Sequence, residues 1–269
     1  MNDIRLLALD LDGTLTNKEK RISERNKYYI RKAQEKGVEI ILASGRPVLG
    51  IVNIADELDL WNRGGYILAY NGGHIIDCKS KKDLIKKTID MQYVHDICNV
   101  INKYHVYPLC YDEKGVICEN NTNPYVKKEA YNNSIIITKV KSLEAIITVP
   151  VVKFMVVGNP EELNKAFEYL KELFNGKLNV FFSEPYFLEI TPLGIEKASA
   201  LGSLLEILGK TKEQMMACGD GLNDIPMLEF AGLSIAMDNA YDETKKVADY
   251  IVASNEEDGV AEAIQRFIL

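Results

Sequence analysis

The chain has little that would tie it to a membrane, to nucleic acid or to an oxidising compartment. Across 269 residues no apolar run approaches the roughly 18–20 residues that a bilayer span requires. Positive charge is not in surplus: the net charge is −7, which sets aside nucleic acid or an anionic membrane as the main partner. The five cysteines (Cys78, Cys98, Cys110, Cys118 and Cys218) are odd in number and form no CxxC pair. With no secretory leader pattern they read as reduced, packed thiols, and the expected location is the cytoplasm. The single tryptophan, Trp61, and the scattered tyrosines read as packing rather than a base-stacking platform. One basic stretch, Lys79 to Lys87 with five lysines, has no aromatic residues interleaved and reads as a solvated connector. No internal repeat or low-complexity segment is found.

What remains is an ordinary globular composition, 47% hydrophobic and 26% charged, long enough for one large domain or two modest ones. The first eighty residues alternate strand and helix patterns. Leu6-Leu7-Ala8-Leu9 reads as a strand buried on both faces, of the kind found at the centre of a parallel sheet. Ser23 is placed to cap a helix that stops at Gly37, and Val38–Ala43 is the next buried strand. Pro47 suits the first turn of a helix running to about Leu58, and Tyr66–Tyr70 is a third strand leading through Asn71-Gly72-Gly73 into a hairpin with His74-Ile75-Ile76.

Between about Asp83 and Tyr186 the texture changes to short strands near 107–111, 116–119, 153–157 and 180–183, with amphipathic helices near 90–103 and 160–174. From Phe187 the alternating rhythm returns, with strands at 215–218, 233–237 and 250–252 among helices. The expected fold is therefore α/β: a doubly wound parallel-sheet core, residues 1–82 and 187–269, interrupted by an inserted α+β domain, residues 83–186.

Four clusters sit at strand ends or helix starts. Asp10 and Asp12 follow the first strand two residues apart, so both side chains converge on one spot. A carboxylate can attack phosphorus, and a second can protonate the leaving oxygen and then activate water. Ser44-Gly45-Arg46 offers a hydroxyl and a bare N–H beside a helix start, which suits a phosphate oxygen. Lys197 offers a point charge for a phosphoryl group. Gly219-Asp220-Gly221-Leu222-Asn223-Asp224 gathers oxygen ligands of the kind that select a hard cation, usually Mg²⁺. Each cluster alone also has a plain reading, as a capped turn or a solvated lysine.

In this order the clusters resemble the four motifs of the haloacid dehalogenase superfamily of aspartate-based phosphotransferases, and the insertion resembles that of its Cof-type sugar phosphatases (subclass IIB). Asn71-Gly72-Gly73 and Phe187-Leu188-Glu189-Ile190-Thr191-Pro192 add to the likeness. Ala198 departs from it, because members commonly carry glycine after the lysine. The resemblance implies that Asp10 is the nucleophile and a Mg²⁺ ligand, and that Asp12 is the general acid/base and gives its carbonyl to the metal. It implies that the Leu11 N–H, Ser44, the Gly45 N–H, Lys197 and Asn223 hold the phosphoryl oxygens. Asp220 is then a metal ligand with Asp224 in support. Ion-pumping relatives, which keep the aspartyl-phosphate alive, typically have threonine where this chain has Asp12, so hydrolysis is implied. Arg46, Asn71 and Tyr125 are candidate substrate contacts, while His74, His95 and His105 lie away from all four clusters. The activity the resemblance implies is a Mg²⁺-dependent phosphohydrolase of small phosphomonoesters, sugar phosphates foremost, acting through an aspartyl-phosphate, with the insertion as a cap over the site. A phosphomutase on the same core and a non-catalytic phosphosugar-binding protein are the rivals.

Overall fold

The computed structural model describes residues 3–269. The chain divides into two compact units, one made of the chain up to Ile85 together with Glu196–Leu269, the other of Lys86–Ile195. The boundaries expected from sequence fell at 82/83 and 186/187. The second differs because strand Phe187–Pro192 pairs antiparallel with Phe154–Gly158 and Leu178–Glu184, inside the second unit's sheet. Its apolar residues read as core in either sheet, and only the pairing partner assigns it.

The first unit holds an eight-stranded sheet in the order 250–252, 233–237, 215–219, 6–9, 39–43, 66–69, 74–77, 82–86. Its first six strands run parallel, and the 66–69/74–77 pair is the antiparallel hairpin. Leu6, Leu7, Ala8 and Leu9 are all fully buried, as a strand covered on both faces must be. Leu6 and Ala8 pack with Leu201, Leu204 and Leu205 of helix Lys197–Leu208. Helices Glu24–Glu35 and Gly259–Phe267 pack together elsewhere in the unit, Asn26 Oδ1 accepting from the Ala261 N–H at 2.8 Å. Ser23 caps the first of these helices as expected, and Gly37 follows it at φ 85°.

The chain builds strands 39–43 and 66–69 to one side of the central strand, and 215–219, 233–237 and 250–252 to the other. The crevice where the strand order reverses lies beyond the carboxyl ends of 6–9 and 215–219, the place where open α/β sheets bind ligands. The lysine stretch is not a connector throughout: Lys82–Lys86 forms the edge strand, where exposed lysines discourage pairing with another sheet. All five cysteines are free and buried. Among the described residues no helix is long and apolar enough to cross a membrane.

The second unit is a six-stranded sheet in the order 178–184, 187–192, 154–158, 106–111, 115–118, 136–139, antiparallel except for its last pair. One face carries helix Pro160–Leu173, whose Leu163, Ala166 and Leu170 are buried, and the short helical turns of 91–102 that replace the single expected helix. The other face carries helix Pro124–Asn133, which the sequence reading passed over. Its start signal, Asn123-Pro124, matches the Asn159-Pro160 that opens the longer helix. Its periodicity is masked because Glu129 and Asn133 share the buried face with Val126 and Ala130.

Glu129 accepts hydrogen bonds from the Tyr111 hydroxyl at 2.6 Å and Asn133 Nδ2 at 2.8 Å, and a buried Lys153–Glu189 ion pair at 3.2 Å acts on it. Burial raises its pKa and outweighs the lowering by the Lys153 charge and the two hydrogen bonds. The folded state therefore holds this proton more tightly than the unfolded chain. The stability it contributes is full below the ordinary glutamate range and is lost as pH rises through the raised value. Glu129→Gln should thus gain melting temperature relative to the parent as pH rises from about 4 to about 7. A difference that stays flat across that range in paired thermal melts would contradict the assignment.

Candidate active site

The site is built where the carboxyl ends of strands 6–9 and 215–219 meet. Asp10 leaves the first strand with its N–H on the Cys218 carbonyl at 3.1 Å, and the chain then folds back so that the Leu15 and Thr16 N–H groups reach the Asp10 and Leu11 carbonyls. Gly13 sits at φ 88°, and a side chain there would collide with the Asp220 carboxylate. That one glycine lets the two loops close on each other. Thr14 Oγ1 then donates to Asp220 Oδ1 at 2.7 Å.

Lys197 opens its helix fully buried, with Nζ 2.6 Å from Asp10 Oδ1 and 2.6 Å from Asp224 Oδ1. The other Asp224 oxygen accepts from the N–H groups of Asp220 at 3.0 Å and Gly221 at 2.9 Å, which locks the 220–224 turn. Gly219 is required behind it, because a Cβ there would lie 2.6 Å from the Asp224 Cβ. Asn223 is exposed on the same turn.

Ser44 is buried at the end of strand 39–43. Its N–H binds the Leu68 carbonyl, its carbonyl takes the Asn71 N–H, and its Oγ takes the Arg46 N–H at 3.2 Å. Tyr70 and Asn71 are both left-handed, at φ 53° and 54°, an uncommon backbone held by two hydrogen bonds to the 44–46 loop, from the Tyr70 N–H to the Arg46 carbonyl and from the Asn71 N–H to the Ser44 carbonyl. The Asn71 amide lies against Gly45, and its Oδ1 is buried with no hydrogen-bond partner.

The electrostatics separate the two leading carboxylates. Burial lifts the Asp10 pKa to about 8; the Asp224 and Asp220 charges add to this, and Lys197 only partly offsets it. Asp220 is likewise raised by burial, to about 6, against the Thr14 hydrogen bond. Burial disfavours the charged form of Lys197, but Asp10 and Asp224 outweigh it and hold the ammonium protonated. Oxygens of Asp10, Asp220 and Asp224 all lie within 4.8 Å of one another. Three carboxylates around one ammonium leave an excess of negative charge in a buried, all-oxygen donor set, which fits a hard divalent cation. Asp12 faces other partners: Arg46 Nε and Nη2 at 2.7 and 2.5 Å, and Lys20 Nζ at 2.5 Å. Burial works to raise its pKa, yet the Arg46 and Lys20 hydrogen bonds and charges bring it below the usual carboxylate value.

The structure thus brings Asp10, Asp12, Ser44, Gly45, Arg46, Asn71, Lys197, Asp220, Asn223 and Asp224 onto adjoining loops of the first unit. Arg46 is committed to Asp12 and to the Gly50 carbonyl at 3.1 Å. Tyr125 belongs to the second unit, where it stacks on Tyr186 with ring centroids 5.4 Å apart. Sequence reasoning missed the residues that hold the loops. Lys20 is one. Another is Asn239, whose Nδ2 donates to the Gly13 carbonyl at 2.8 Å, and Thr244 Oγ1 donates to the Gly221 carbonyl at 3.0 Å. Asn239 follows strand 233–237, so the strand-end rule that found the four clusters would also have reached it.

Acidic loops with one buried ammonium among them thus form an oxygen-donor site at the switch point of a doubly wound sheet, where such folds bind ligands. The sequence model of the haloacid dehalogenase-like hydrolases matches residues 7–264. A 5-amino-6-(5-phospho-D-ribitylamino)uracil phosphatase of Bacillus subtilis, YcsE, is 35% identical over 99% of this chain and 97% of its own. A phosphoglycolate phosphatase of Methanobrevibacter smithii is 31% identical over 99% of this chain and all of its own. A crystal structure of a haloacid dehalogenase-like hydrolase from Bacteroides thetaiotaomicron superposes with a TM-score of 0.96 at 45% identity, covering 98% of this chain and 100% of that one. The chain belongs to the haloacid dehalogenase-like hydrolases, and among them it is a Cof-type phosphatase.

Lys197→Met keeps the bulk of the side chain but leaves Asp10 and Asp224 without their counter-charge. In metal-free buffer it should cost about 3–5 kcal/mol, the range for removing one partner of a buried ion pair. Urea unfolding measures this, and a variant as stable as the parent would show that the ammonium is not what holds the carboxylates together.

Proposed function

We propose that this phosphatase is Mg²⁺-dependent, acts on small phosphomonoesters, sugar phosphates foremost, and works through an aspartyl-phosphate on Asp10. The observation that carries the reading is the buried Asp10 carboxylate at the end of the central strand, held by Lys197 beside two further carboxylates. An Asp10 oxygen attacks phosphorus, the ester P–O bond breaks, and the leaving alkoxide takes its proton from Asp12, which has to be protonated and off its Arg46 and Lys20 partners to give it. Asp12, now a carboxylate, removes a proton from the water that attacks the phosphorus. The P–O bond to Asp10 then breaks, which restores the carboxylate and frees inorganic phosphate.

Ser44, the Leu11 and Gly45 N–H groups, Lys197 and Asn223 are assigned to the phosphoryl oxygens. The Asp10 and Asp220 carboxylates and the Asp12 carbonyl are assigned to the metal, with Asp224 in support. Bound there, Mg²⁺ would neutralise charge spreading over the transferring phosphoryl group. The inserted unit, as a cap, and Asn71 in the core are assigned to substrate choice, Tyr125 being the candidate contact from the cap. The two named relatives act on small phosphorylated metabolites, which supports the same class of substrate here.

The test is phosphate release from sugar phosphates and other small phosphomonoesters, with Mg²⁺ or with chelator. Release should need Mg²⁺ and fall by at least about a thousandfold in Asp10→Asn, with folding intact. Acid quenching of Asp12→Asn during turnover should trap phosphate on the chain. Parent-like turnover in Asp10→Asn would overturn the mechanism, and isomerised sugar phosphate without free phosphate would indicate a mutase.

A further inference from the structure

We infer that the turn Tyr70-Asn71-Gly72 is a positioning element for phosphate binding, aiming the Gly45 N–H through the main chain of Asn71; this rests on the assignment of that N–H to a phosphoryl oxygen. Two residues in succession, neither of them glycine, hold left-handed backbone here, Tyr70 at φ 53° and Asn71 at φ 54°. Asparagine accepts that region at small cost, but a bulky residue such as tyrosine does not. Such strain persists only where the surroundings over-determine it, and it gathers at working sites. Here the hold comes from the 44–46 loop. The Tyr70 N–H donates to the Arg46 carbonyl at 3.0 Å, and the Asn71 N–H donates to the Ser44 carbonyl at 2.9 Å.

The second of these bonds sets a direction. The Ser44 carbonyl and the Gly45 N–H belong to one planar trans peptide, so they point opposite ways. With the carbonyl fixed on Asn71, the Gly45 N–H is turned to the far side of the loop from the 70–72 turn. Gly72 anchors the other end. At φ 100° it lies so close to helix Lys197–Leu208 that a Cβ would come within 2.3 Å of the Ala200 Cβ and 3.1 Å of the Glu196 carbonyl. Residue 71 therefore spans two fixed points, the Ser44 carbonyl and the first turn of the lysine helix, and its left-handed backbone joins them. The turn thereby sets the 44–46 loop against the helix that Lys197 opens, which keeps a backbone donor and a cationic donor at one spacing. The Asn71 side-chain Oδ1 is buried with no hydrogen-bond partner, so that oxygen adds nothing to the hold. The role belongs to the main chain and is separate from the assignment of the side chain to substrate.

The experiment uses inorganic phosphate, which has no organic part for a substrate contact to recognise. Calorimetry in Mg²⁺ buffer measures its binding to the parent, Asn71→Gly, Asn71→Val and Ser44→Ala, and NMR follows the Gly45 amide. Glycine keeps the N–H and adopts left-handed backbone freely, whereas valine keeps the N–H but resists that backbone. Asn71→Gly should bind phosphate within about threefold of the parent, and Asn71→Val at least about tenfold more weakly, the scale of one hydrogen bond to a charged group. Phosphate should move the Gly45 amide resonance in the parent and in Asn71→Gly, and less in Asn71→Val. On two phosphomonoesters with unlike organic parts, kcat/KM should fall in Asn71→Val by the same factor. Melting curves report folding; if Asn71→Val is unfolded, Asn71→Ala carries the comparison and should bind phosphate more weakly than Asn71→Gly.

Equal weakening in Asn71→Gly and Asn71→Val places the role in the side chain and overturns the inference. Parent-like phosphate binding in a folded Asn71→Val overturns it too when Ser44→Ala weakens binding. If neither Ser44→Ala nor Asn71→Val changes phosphate binding, the assignment of the 44–45 loop to the phosphoryl group falls first and the inference falls with it.

Discussion

The active-site unit depends on one buried ammonium. Lys197 sits between Asp10 at the end of the first strand and Asp224 in the turn after strand 215–219, 2.6 Å from each. It ties three separate stretches of chain to one point. Without it, the close approach of Asp10, Asp220 and Asp224 would be opposed by mutual repulsion and by the cost of burying charge. The ammonium does not complete the neutralisation, and the remaining excess of negative charge suits a divalent cation. Structure and chemistry are thus set by the same imbalance.

Around that point the loops are shaped by what is absent from side chains as much as by what is present. Gly13 makes room for the Asp220 carboxylate, and Gly219 makes room for Asp224. Thr14, Asn239 and Thr244 then fasten the loops by single hydrogen bonds across long sequence separations. Asp10 and Asp12, two residues apart and chemically identical, are driven to different states by their surroundings. Asp10 is buried among carboxylates, while Asp12 is held by two cations.

The inserted unit follows a different economy. Its sheet buries a polar layer of Glu129, Asn133, Lys153 and Glu189 beneath helix Pro124–Asn133. That layer hid the helix from a reading based on apolar periodicity, although its Asn-Pro start was plain. Strand Phe187–Pro192 was legible as a strand but not as a member of this sheet, and Lys82–Lys86 was legible as charged but not as an edge. In each case local sequence reports burial or charge, and a partner distant in sequence decides what that burial is against.

By itself the sequence determined the parallel core, the order of its strands and helices, and the four motifs at their ends. Buried strands, helix caps and loop glycines are local signals, each written within a few residues. The tertiary structure alone decided which carboxylate meets which cation. Arg46 and Asp12 are 34 residues apart, and Lys197 and Asp10 are 187 apart. Such pairings depend on loop closure and on competition among several possible counter-charges, and that competition is resolved only when the strand ends are brought together in space.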